Sequence, residues 1–106
     1  MSKRTHARVV LADYKERKAD EGAIDIVLSD GSTFRIPPPE LWPDVVVSRV
    51  QVERAGGAAY GLDEMARGIV GDDEFDRFVA DGGTSTLFHS ILKDEHNLDP
   101  GESSAS

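Results

Sequence analysis

Residues 24–36 read IDIVLSDGSTFRI and run straight into PPPELWP. β-Branched residues stand on both sides of Asp30-Gly31, the pattern of an antiparallel hairpin. Side chains alternate along a strand, so loop length decides which residues share a face. A two-residue loop would pair Leu28 with Thr33 and Ile26 with Arg35, mixing apolar and polar side chains. A three-residue loop, Ser29-Asp30-Gly31, pairs Ile26 with Phe34 and Ile24 with Ile36 instead. It gathers every large residue except Val27 on one side, with Gly31 as a structural anchor taking the positive φ of a bulged turn. The longer loop is therefore expected. Four prolines within residues 37–43 then stop the second strand, because each fixes φ and lacks an N–H. Trp42 sits among them as the expected anchor on the hairpin's apolar face.

A one-sided hairpin needs a cover, and the following residues supply helices. The stretch 44–54 (DVVVSRVQVER) has strand-like composition, yet Val46 and Val50 fit one side of a helix with Trp42. Pro43 suits the first turn of a helix, so a helix is expected there. Leu62, Met65, Ala66 and Ile69 recur at helical spacing up to Gly71. Asp72 is placed to cap the next helix, with Asp73 and Glu74 at its positive end, and Phe75, Phe78 and Val79 on its apolar side. Thr84 or Ser85 is placed to cap a last helix bearing Leu87, Phe88, Ile91 and Leu92. Residues 5–19 form a polar, poorly patterned helix. The fold class is thus α+β: a hairpin at about 24–36, a small cluster of short helices, and a disordered C-terminal tail. The expected division is a basic arm or helix over 1–20, one small domain over 21–98 and a tail over 99–106. Gly101 and three serines there bury too little apolar surface to offset ordering.

Composition narrows the function. The 106 residues carry a net charge of −8 with 39% hydrophobic content, enough for one lean core that invites self-association. The charge is uneven: residues 1–18 hold six Lys/Arg against two acids, and the remainder six against eighteen. An acidic body argues against binding a phosphate backbone, and the basic arm reads as solvated or docked on its own domain. No apolar run is long enough for a membrane span, and no signal-peptide core is present. The absence of cysteine rules out disulfides and thiolate chemistry. A soluble, intracellular protein is the expectation.

Catalytic and cofactor signals are missing. His89 and His96 share a helix side but lie roughly 10 Å apart along its axis, too far for one metal. Asp72, Asp73, Glu74 and Asp76 lack EF-hand spacing, and neither AGGAAYG nor DGGTS continues into a phosphate-binding motif. No Gly-x-Ser-x-Gly nucleophile occurs. The chain is expected to be no enzyme, with no catalytic residue, metal or cofactor. Binding remains, through apolar surface on the short helices: Phe75, Phe78, Leu87, Phe88, Ile91 and Leu92 are the candidate partner-binding residues, in a groove suited to an amphipathic helix.

The order of features resembles a phage family. A D-G hairpin and Leu41-Trp42-Pro43 lead into short helices with MARGIVG (65–71) and EFDRF (74–78), and the chain finishes GESSAS (101–106). This looks like the short form of the tail assembly chaperones of long-tailed actinobacterial phages, a likeness spread over residues 22–106. The resemblance implies a protein that binds the tape measure protein, keeps it soluble, and helps tail-tube subunits assemble around it in the host cytoplasm. It implies absence from the mature virion. It also implies a longer product made by programmed frameshift near the end of the short frame. The alternatives from other classes are a small acidic regulatory or antitoxin-like protein and a structural head–tail joining subunit.

Overall fold

A computed structural model of the chain describes residues 7–96, with the backbone alone at His96. The hairpin pairs β1 (Ile24–Val27) with β2 (Thr33–Ile36), Ile24 opposite Ile36 and Ile26 opposite Phe34. This is the register that facing demands. The Leu28 amide donates to Ser32 O at 2.9 Å and the Gly31 amide to Leu28 O at 2.9 Å, leaving a three-residue loop. Gly31 takes φ 87°, where a β-carbon would be strained. Asp30 Oδ1 closes the turn by accepting the Ser32 amide at 2.8 Å and its hydroxyl at 2.6 Å. Phe34 and Ile36 are fully buried whereas Val27 is 74% exposed, so one face of the sheet carries the core.

Helices surround that face. In chain order they are α1 (Leu11–Gly22), α2 (Asp44–Arg54), α3 (Leu62–Val70), α4 (Asp72–Ala80) and α5 (Ser85–His96), with a 3-10 turn over Pro39–Leu41. Trp42 is buried beside the prolines, and its indole Nε1–H donates to Pro37 O at 2.9 Å. The stretch 44–54 is helical, with Val46 buried and Val45 exposed as one-sided packing requires. Pro43 stands just outside this helix rather than in its first turn. Its ψ of 146° is extended, and its carbonyl accepts the Val46 amide at 3.0 Å to start the helix. α2 comes close to α3 at Gly68, where a β-carbon would lie 2.7 Å from Val46 Cγ2.

Two further expectations need correction. Asp72 does not cap α4: it is the first helical residue, the cap position belongs to Gly71, and no side chain bonds the free amides. The Asp72 carboxylate turns instead to Arg67, which also holds Asp63 at 3.1 Å and Asp76 at 3.0 Å. The same guanidinium lies 4.9 Å over the Phe75 ring, so one side chain fastens α3 to α4 across Gly71. The first helix runs over 11–22 rather than 5–19. Val10 is extended at φ −88° and ψ 113°, and its carbonyl accepts the Tyr14 amide at 3.0 Å to open the helix. α1 buries no residue; Lys18 pairs with Glu40 at 3.8 Å, which ties the basic stretch to the body. The expected tail over 99–106 and the first six residues lie outside the described part.

Of the two candidate caps for α5, Thr84 is the one used: its Oγ1 accepts the Leu87 amide at 3.1 Å. Replacing Thr84 by Ala is expected to cost about 1 kcal/mol, seen as a lower urea midpoint at unchanged slope.

Candidate binding surface

The four phenylalanines form one cluster between hairpin and helices. Phe34 stacks on Phe78 with ring centroids 4.9 Å apart, and Phe88 meets Phe34, Phe75 and Phe78 edge-on at 6.3, 5.9 and 6.0 Å. Offset and edge-to-face contacts let the positive ring edge meet a negative face, which adds to the area buried. This corrects the site reading. Phe75, Phe78, Phe88 and Leu92 are at most 5% exposed, so they are core and offer no surface to a partner while the chain is folded. The helical stripes face the hairpin's apolar side because that side has no other cover.

Of the six candidates, Leu87 and Ile91 remain outside the buried core. Leu87 is 50% exposed, and Ile91 is half-buried against the cluster. Two residues outside the predicted site join Leu87: Val79 and Leu62 are also exposed. Their positions converge. Ser85 donates its hydroxyl to Asp63 Oδ1 at 3.3 Å, which brings the start of α5 to the start of α3. The short turn from α4 places Val79 at the same end. Leu62, Val79 and Leu87 are therefore three exposed apolar residues at the end of the bundle where α3 and α5 begin and α4 finishes, called the crown below. Sequence spacing could not separate Val79 from Phe75 and Phe78, since all three fall on one side of a nine-residue helix.

The hairpin is latched to α4. Asp81 accepts the Ser29 amide on both carboxylate oxygens at 3.2 and 3.1 Å. Arg77 donates to Ser32 Oγ and to Thr33 O, each at 2.8 Å, and Glu74 orients it at 2.9 Å. Three carboxyls of the hairpin and α4 sit below the ordinary carboxylate range. Hydrogen bonds from Arg35 hold down Asp25, the Ser32 hydroxyl and amide hold down Asp30, and hydrogen bonds from Arg77 hold down Glu74. A pKa lower in the folded chain than in the unfolded one gives stability that is complete above the unfolded value, about 4, and fades as pH falls through the folded values. Urea midpoints are therefore expected to be flat from neutral pH to about pH 5 and to drop below about pH 4. Asp25→Asn together with Glu74→Gln is expected to flatten that acid limb.

Among the described residues, no three His, Asp or Glu side chains are grouped to hold a metal ion. No helix among them is long and apolar enough to cross a membrane. No family model, curated protein or solved structure matches the chain.

Proposed function

We propose that this chain is a non-enzymatic tail assembly chaperone that binds and solubilises a tape measure protein during tail morphogenesis. The observation that carries the reading is the apolar crown of Leu62, Val79 and Leu87 on an otherwise acidic domain. Such a patch suits the apolar stripe of a helical client, and the charge keeps the resulting complex apart from its neighbours. The hairpin, the Leu41-Trp42-Pro43 turn and the MARGIVG and EFDRF segments add the likeness to that phage family. One crown covers only a few helical turns, so several copies coat one client. On this reading the protein works in the host cytoplasm beside the tail-tube subunits and is left out of the virion.

Co-expression tests it. A tape measure protein co-expressed with this chain is expected to stay in the soluble fraction and to precipitate when expressed without it. Equal precipitation in both cases rejects the reading. Recovery of the chain from purified particles would favour a joining subunit instead.

A further inference from the structure

Val9, Val10 and Leu11 are three consecutive apolar residues that the chain leaves 66, 63 and 68% exposed. Arg8 precedes them, and Tyr14 and Lys15 follow on the first turns of α1. Residues 7–10 belong to neither helix nor sheet, and Val10 is already extended.

A matching cleft of about 670 Å³ opens at the other end of α1. Ile24, Ile26 and Ile91 give it an apolar lining, and Glu21, Asp25 and Glu95 give it three carboxylates with no Lys or Arg among the lining residues. Asp25 is held by Arg35, and Glu21 lies 3.7 Å from Arg17. Consecutive residues of β1 line the cleft and none of β2 does, so it follows the free edge of β1. Leu28 bonds to Ser32, and by the alternation of an antiparallel ladder Ile26 and Ile24 bond to β2, so Asp25 and Val27 point their backbone N–H and C=O groups away from it. An open edge of this kind takes up extended segments.

Residues 8–11 cannot reach the cleft of their own chain. The twelve residues of α1 separate Leu11 from the cleft by about 18 Å of helix, so self-insertion would require α1 to unwind. A second copy has no such constraint, and its charge fits: residues 1–18 are basic and the rest of the chain is strongly acidic. We propose that residues 8–11 of one copy add as a third strand along β1 in the cleft of a second copy. Val9, Val10 and Leu11 then supply the apolar contacts, and Arg8 approaches the carboxylates. Each copy keeps a free donor segment and a free cleft, so the contact is head-to-tail and propagates into open arrays.

Sedimentation velocity over a concentration series tests this. The wild-type mass is expected to rise past the dimer with concentration and to fall in high salt. Val10→Asp disables the donor and Glu95→Lys the cleft, each weakening association by about tenfold or more with an unchanged melting temperature, because both sites are exposed. Arg8→Glu, also exposed, is a second donor-side variant should Val10→Asp melt lower. An equimolar mixture of the Val10→Asp and Glu95→Lys chains is expected to form dimers that grow no further, since one intact contact remains between them. A wild type that stays monomeric, variants that associate as well as wild type, or a mixture that yields no dimer overturns the proposal.

Discussion

Phe88→Asp is expected to yield no stably folded protein at 25 °C, while Leu87→Asp, one residue away, folds with nearly the wild-type melting temperature. Phe88 is 2% exposed and touches three other rings, whereas half of Leu87 is in water. Removing a buried phenylalanine side chain costs about 3–5 kcal/mol through lost transfer energy and the cavity left behind. Asp adds a carboxylate against phenylalanine rings that offer it no hydrogen bond, a further cost of several kcal/mol unless it takes up a proton. Against a total stability of about 5–15 kcal/mol for a domain, that sum removes most or all of it. Far-ultraviolet circular dichroism and a thermal melt check both variants. If Phe88→Asp melts like wild type, the aromatic cluster is not the core. If Leu87→Asp unfolds, the crown is not a free surface.

Gly83→Ala is expected to destabilise by about 1–3 kcal/mol, although it adds a single methyl group. Gly83 closes the end of α4, its amide donating to Phe78 O at 2.9 Å, after Gly82 has turned the chain at φ 104°. A β-carbon on Gly83 would lie within 2.6 Å of three atoms of the Phe78 ring. That ring cannot step aside, because Phe34 is stacked on it and Phe88 stands against it. For a domain of this size, 1 kcal/mol corresponds to about 4–8 °C in melting temperature, so the loss is read easily in a thermal scan. Gly61→Ala is the control. Beyond its chain neighbours, its β-carbon would come no nearer than 3.9 Å to any atom and its φ is −62°, so no clash arises. As Gly61 is the N-cap of α3, where Ala is poorer than Gly, a loss much smaller than at Gly83 is expected. A drop at Gly61 equal to that at Gly83 would mean the effect is not packing.

These two sites also mark where the sequence is informative and where it is not. The hairpin register was legible because a period of two leaves only one loop length that puts Ile24, Ile26, Leu28, Phe34 and Ile36 on one face. The helix over 44–54 was legible from the spacing of Val46 and Val50 despite its strand-like composition. Core and surface were not separable on α4 and α5. In short helices a stripe covered by the chain and a stripe left for a partner have the same spacing, and only the position of the hairpin makes Phe88 internal and Leu87 external. The role of Asp72 was hidden for a related reason. Its partner Arg67 lies across the Gly71 joint, and the angle between two helices is not written in residue order. The exposed Val9-Val10-Leu11 run passed as a weak helix start, since three consecutive apolar residues define no helical face.

The central claim is that a folded acidic domain keeps a long helical chain soluble through an apolar crown. The direct measurement is turbidity as a tape measure protein, the proposed client, is diluted from denaturant into buffer containing this chain. Wild type is expected to suppress the rise in turbidity in proportion to its concentration, and Leu87→Asp, folded but with the crown disrupted, to suppress it much less. Turbidity that is the same with wild type, with Leu87→Asp and with buffer alone would contradict the account.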